Sequence, residues 1–148
     1  MDRKVVPYTS QYKDACLNIF KSNIGKYFAD NELKKFEEFL GSQVYSTKYF
    51  VVLSDSKVIG CGGYYFRDGE IRLVDGMIEK TNHKTGAGLL LLEHRLNAAK
   101  SEYPDKSIGI TTSQHTEGFF KKYGFETTDV VKNFFGEGID KVSMVYKP

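Results

Sequence analysis

The stretch that most constrains this chain is residues 70–93, EIRLVDGMIEKTNHKTGAGLLLLE, which reads as a strand, a short turn and the start of a helix. The strand half, residues 71–78, is mostly apolar, as expected of a strand buried on both faces. The turn covers residues 79–85. The helix opens at Gly86-Ala87-Gly88 and continues through Leu89, Leu90, Leu91 and Leu92. The first turn of a helix has unpaired backbone N–H groups and a partial positive charge. Two glycines there remove side chains and let a phosphate reach the backbone. His83 and Lys84, just before them, add positive or donor character. The pattern points to an anion site suited to a phosphorylated cofactor. The competing reading is that small residues only let the helix pack close to a sheet. Leu89-Leu90 is not the Lys-Ser or Lys-Thr of a Walker loop, and Leu91 stands where a dinucleotide fingerprint has its third glycine.

The surrounding chain bounds the fold. Its 148 residues, 41% of them hydrophobic, suit a single domain over residues 1–148 with a real core. A net charge of +2 is too mild to argue for nucleic acid, though it leaves room for a local basic patch. Cys16 and Cys61 lie in apolar surroundings and read as buried thiols of a reducing compartment, with no disulfide or zinc spacing. Three scattered histidines do not form a metal site. The N-terminus lacks the apolar region of a signal peptide, and no apolar run approaches the ~20 residues that span a bilayer. The expectation is a cytoplasmic protein with no membrane or nucleic-acid partner.

Taken in order, residues 4–8 form a strand. Ser10 is placed to cap a helix over 11–21, and Asp30 or Asn31 to cap a second helix ending at Leu40. The link over 22–29 is polar and aromatic and could line a substrate entrance. Residues 49–53 and 58–66 form two strands around a tight turn, and Gly60, Gly62 and Gly63 inside the second suggest a bulge or a close approach. Arg67-Asp68-Gly69 turns into the strand over 71–78. The helix after Gly88 runs to about Ser101. A strand over 106–111 follows, parallel to that over 71–78 because a helix connects them. A short helix over 115–122, a strand over 125–133 and a last strand over 141–146 complete the chain. The expected fold is α/β: a mixed, mostly antiparallel sheet of about seven strands flanked by about four helices. The glycine turn sits where the one parallel pair diverges, a place where such folds bind ligands.

Two motifs carry a resemblance. One is His83-Lys84-Thr85-Gly86-Ala87-Gly88; the other is Phe120-Lys121-Lys122-Tyr123-Gly124-Phe125, one helix and one strand further on. Together they resemble the cofactor signatures of the GNAT (Gcn5-related) N-acetyltransferases, over almost the whole chain. The resemblance implies a GNAT-like acyl-CoA N-acyltransferase fold and an acetyl-CoA or coenzyme A site. In it, backbone N–H groups from Thr85, Gly86, Ala87 and Gly88 hold the pyrophosphate, with His83 and Lys84 beside them. Pantetheine lies between the diverging strands, against backbone groups of Met77 and Ile78. An N–H near Met77 holds the thioester carbonyl. Ser113 stands where relatives often carry an Asn that contacts the cofactor, and Phe120 packs around the cofactor or the core.

The implied reaction is acetyl transfer to a primary amine of a small molecule or protein, by direct attack in a ternary complex. An amine must lose a proton before attack. The position of the base in the histone-acetylating branch is Arg72 here. The acidic candidates are therefore Asp75 and Glu79, with Glu70 beside them. The position of the usual general-acid Tyr is Phe120, which leaves Tyr123 as a nearby substitute. A thiol pKa of about 8.5 makes coenzyme A a fair leaving group without an acid. The absence of both usual proton-transfer groups also supports a rival reading, a non-catalytic CoA-binding sensor or interaction module. The last two strands could pair with a second copy as a homodimer.

Overall fold

In the computed structural model, which describes residues 2–148, the chain runs β1 (Arg3–Pro7), α1 (Lys13–Ser22), α2 (Leu33–Gly41), β2 (Lys48–Ser54), β3 (Lys57–Arg67), β4 (Glu70–Ile78), α3 (Ala87–Glu102), β5 (Ile108–Thr112), α4 (Gln114–Lys122), β6 (Phe125–Gly136) and β7 (Ile139–Tyr146). The strands form one sheet in the order β1-β2-β3-β4-β5-β7-β6. Among the strands of the described residues only β4 and β5 pair in parallel, as the intervening helix requires. This is the expected α/β architecture of seven strands and four helices.

The helices divide between the two faces. Cys16, Ile19 and Phe20 of α1 and Phe36, Phe39 and Leu40 of α2 pack on Tyr49, Val51, Leu53, Cys61 and Met77. On the other face, Leu92, Leu96 and Ala99 of α3 and Phe120 of α4 pack on Ile71, Leu73, Ile108, Ile110, Val142 and Met144. Both cysteines are free and buried.

Several local expectations change. The strand half of the opening stretch is not buried on both faces. Ile71 and Leu73 are buried, their neighbours Arg72 and Val74 are only half-buried, and Asp75 and Gly76 are exposed. The reason is that on this face of the sheet α1 and α2 pack on β4 at Met77 and leave Arg72 and Val74 partly uncovered. Ser10 does not cap α1; a single 3-10 turn over Ser10–Tyr12 leads into the helix instead. Neither Asp30 nor Asn31 caps α2. α2 has no side-chain cap; Glu32 instead accepts a 2.9 Å hydrogen bond from the Ala29 N–H, which fixes the 3-10 turn over Asp30–Glu32 that leads into the helix.

The glycines of β3 have the close-approach role expected of them. A Cβ on Gly62 would lie 2.9 Å from the Gly76 Cα and 3.1 Å from Leu91. A Cβ on Gly76 would lie 2.9 Å from the Arg95 guanidinium. Arg95 is an α3 residue, 3% exposed, whose Nε and Nη1 have no hydrogen-bond partner among the described residues. Loss of solvent is the main influence on it and lowers its pKa to about 10. Unpaired buried donors are costly, so an apolar side chain of similar volume should be better tolerated than arginine. Arg95→Met is expected to raise the thermal midpoint, measured by calorimetry. A lower midpoint would show that the guanidinium contributes net stabilisation where it lies.

Candidate functional site between strands four and five

The parallel pairing of β4 and β5 is short. Ile71 faces Ile108, Arg72 faces Gly109 and Leu73 faces Ile110, and there it ends. Arg72 clamps this closed end: its Nη2 donates to Thr111 Oγ1 at 2.8 Å, and its guanidinium lies over Gly109. Beyond Leu73, β5 continues alongside β7 and β4 alongside β3. The two strands therefore part into a wedge-shaped gap.

A bulge on β4 drives the parting. Cys61 faces Met77 and Gly63 faces Val74, so Gly62 alone stands opposite both Asp75 and Gly76. Asp75 takes a left-handed φ of 46°, a conformation that short polar side chains tolerate better than most. Its carbonyl accepts a 2.6 Å hydrogen bond from the hydroxyl of buried Tyr49. Register also decides which backbone groups face the gap. Glu79 donates its N–H to Ile59 at 2.8 Å. By the alternation of an antiparallel ladder, Met77 then turns its N–H toward β3, and Ile78 turns its N–H and carbonyl away from β3 into the gap. The Ile78 carbonyl is already engaged, by Asn23 Nδ2 at 2.9 Å and His83 Nε2 at 2.8 Å. Ile78 N–H, rather than Met77 N–H, is thus the donor turned to the gap.

At the open end of the gap lies the glycine turn. Lys84 and Gly86 have φ of 62° and 91°, and no atom lies within 4 Å of a Cβ built on Gly86. The turn is braced from β1, a contact invisible to local pattern. Arg3 donates through Nη1 to the Thr85 carbonyl at 2.8 Å and through Nη2 to Thr85 Oγ1 at 3.1 Å. Thr85 Oγ1 in turn donates to the Asn82 carbonyl at 2.7 Å. Leu90 N–H is the first in α3 to bond back, to Gly86 O, so the N–H groups of Ala87, Gly88 and Leu89 belong to the orphan set of a helix start. Gly88 packs at 3.4 Å from the Phe119 ring by the same Cβ construction. The turn thus offers both an open anion approach at Gly86 and close packing at Gly88.

The remaining candidates separate. Asp75 is exposed, yet protein surrounds the cleft in which it sits. That reduced solvation comes first, and the facing Glu32 carboxylate second, in lifting its pKa from the usual carboxylate range to about 6. Glu32 is itself raised, chiefly by desolvation. Glu79 is held differently. Thr81 and Asn82 donate to Oε1, and Lys57 lies 3.4 Å from Oε2. The Thr81 hydrogen bond leads the causes that lower its pKa.

Ser113 is buried and caps α4, accepting from His115 N–H at 3.3 Å. Phe120 is buried against Phe119 and Phe125. Tyr123 faces a cavity of about 260 Å³ with Leu89, Glu93 and Tyr146, on the α3 side of the sheet. Tyr27, from the link after α1, touches His83 and His115 edge-on at 5.0 and 6.0 Å. It thereby reaches both sides of the gap, which fits the expectation that this link lies at an entrance.

Known structures share this fold. The ribosomal-protein-S18-alanine N-acetyltransferase of Escherichia coli superposes with a TM-score of 0.80 at 14% identity, over 99% of this chain and 94% of that one. A GNAT family acetyltransferase from Elizabethkingia anophelis with acetyl-CoA bound gives 0.74 at 21%, over 99% and 98%. The ribosomal-protein-alanine N-acetyltransferase of Brucella melitensis gives 0.77 at 16%, over 98% and 99%. At these identities the likeness is one of fold. No curated protein matches the sequence. The family described as Acetyltransferase (GNAT) domain matches residues 20–148, a span that takes in the bulge, the gap and the glycine turn, and the chain accordingly belongs to that family.

Proposed function

We propose that the chain is an acetyl-CoA-dependent N-acetyltransferase that moves an acetyl group to a primary amine by direct attack in a ternary complex. The observation that carries this reading is the gap between β4 and β5. It runs from the open, left-handed glycine turn to a carboxylate of raised pKa on the bulge. The structure with acetyl-CoA bound among its fold relatives supports the cofactor. Acetyl-CoA supplies an acetyl group already activated as a thioester.

The geometry supports a set of residues that would hold it. The first-turn N–H groups after Gly86 can take the pyrophosphate, with the Lys84 and Arg3 cations near the turn and Arg3 and Thr85 fixing the loop. Ile78 N–H can donate to a carbonyl oxygen and stabilise negative charge developing there. Asp75 has the pKa of a base that works near neutrality and can take the ammonium proton of the acceptor. Glu79, pinned by three partners at lowered pKa, is better suited to shaping the turn. Phe120 cannot donate a proton, and Tyr123 lies toward the α3 side, so thiolate departure would rest on the acidity of coenzyme A itself.

Buried Phe120 is also what favours the rival reading, a CoA-binding module without turnover. Coenzyme A binding with no acetylation across polyamines, amino sugars, amino acids and peptide N-termini would select it. The buried free thiols suit a reducing compartment, and we place the protein in the cytoplasm. Edge strand β6 exposes Val130, Val131 and Phe134, where a second copy could pair. Light scattering should then give a dimer mass, and a monomer mass at working concentration would remove this idea.

Acetyl-CoA or coenzyme A at 100 times its dissociation constant should stabilise the fold by about 2.7 kcal/mol, a rise of several degrees in thermal midpoint, while ATP and NAD leave it unchanged. No rise with either coenzyme would sink the cofactor reading. For the chemistry, kcat/KM should fall as pH drops through about 6, because protonated Asp75 cannot accept a proton. Asp75→Asn should lower kcat/KM by roughly 10²- to 10⁴-fold and abolish that acidic limb. An unchanged profile in the variant would assign the base elsewhere.

A further inference from the structure

Beside the bulge is a cavity of about 230 Å³ that the cofactor gap does not include. Phe39, Gln43 and Thr47 close it from the α2 end, and Tyr65, Arg67 and Asp75 from the sheet. It carries one unneutralised charge of each sign. The Arg67 guanidinium lies over the Tyr65 ring, 4.6 Å from its centroid. Among the described residues it makes no hydrogen bond or ion pair, although Glu70 and Arg72 pair with each other nearby at 3.7 Å. The Asp75 carboxylate likewise has no hydrogen-bond or ion-pair partner, and Glu32 adds negative charge at the same end.

We infer that the amine acceptor also carries a carboxylate: it is a small amino-acid-like zwitterion, held with its amine at Asp75 and its carboxylate at Arg67. This inference rests on the acetyl-transfer reading above and narrows its substrate class. Three features support it. A guanidinium presents a planar fork of donors that matches a carboxylate in two parallel hydrogen bonds. Stacking on Tyr65 limits the freedom of the arginine before a ligand arrives. The cavity is smaller than the ~300–1,000 Å³ of pockets for drug-sized ligands, which suits an amino acid better than an amino sugar oligomer or a folded protein terminus. Geometry adds a constraint on length. Gly63, opposite Val74 at the bulge, and Arg67 are four residues apart on β3, so their backbones are separated by roughly 13 Å. The long arginine side chain covers part of that distance and the acceptor the remainder.

The test measures acetyl transfer from acetyl-CoA to the natural amino acids, β-alanine and γ-aminobutyrate, each beside its carboxamide. A set of amines without a carboxylate (polyamines and simple alkylamines) is run alongside. The best free acid should exceed its carboxamide in kcat/KM by about 10- to 100-fold, the factor expected for a hydrogen bond to a charged group. Arg67→Gln should collapse that ratio toward unity through KM, and Arg67→Glu should invert it in favour of carboxamides and diamines. Thermal midpoints of both variants check that they fold, and Arg67 is exposed. Equal use of acids and carboxamides by the unaltered protein, or a ratio that neither variant changes, overturns the inference. Transfer only to amines without a carboxylate overturns it while leaving acetyl transfer intact. No transfer to any amine overturns both.

Discussion

The bulge at Asp75 and Gly76 is the constraint on which the rest of the structure depends. An extra residue on β4 opposite Gly62 bends that strand away from β5 after only three paired positions. One irregularity thereby opens the gap, turns Ile78 toward it and exposes the Asp75 carboxylate in the cleft. The bulge is held from both faces of the sheet. Tyr49 reaches the Asp75 carbonyl from the α1–α2 face. Arg95 fills the space that Gly62 and Gly76 leave on the α3 face. A Cβ on either glycine would collide with this packing, so the pair of glycines is a condition of the site rather than a loose spot in a strand.

Charge is distributed along the gap in a consistent way. Lys84 lies in the glycine turn and Arg3 reaches it from β1, beside the first-turn N–H groups of α3 that precede the bond from Leu90 to Gly86. Asp75 and Glu32 belong to the bulge, where an amine would arrive. Arg67 lies beyond them on β3. Alternation of sign from the gap into the cavity beside it favours a polyanionic donor at one end and a cationic group in the middle. Arg72 stands apart from this pattern: it closes the unsplayed end of β4 and β5 through Thr111 and Glu70.

Much of the fold was legible because it is local. Short apolar runs with turn residues between them marked the strands, and Gly86-Ala87-Gly88 before four leucines marked the start of α3. The connection of β4 to β5 through that helix dictated their parallel pairing. The helix starts were less legible, because α1 and α2 each follow a 3-10 turn instead of a side-chain cap, and the turn before α2 is fixed by Glu32 reaching back to Ala29. The site was legible in part. Its glycine turn is written in consecutive residues. The separation of Asp75 from Glu79 is not, since both are acids on or beside one strand. What distinguishes them is which neighbours surround each.

By itself, then, the sequence determined the order of elements, the single parallel pair, the glycine turn and the family signatures, all of which depend on residues close together in the chain. Only the tertiary structure decided that Asp75 and not Glu79 has a raised pKa, that Ile78 and not Met77 turns its N–H to the gap, that Arg3 braces Thr85 from 82 residues away, and that Arg67 shares a cavity with Asp75. These depend on strand register, and a bulge changes register by one residue while leaving the local apolar pattern intact. An apolar run bounded by turns does not report such a shift. The packing of Gly62, Gly76 and Arg95, contributed by three separate elements, decides it.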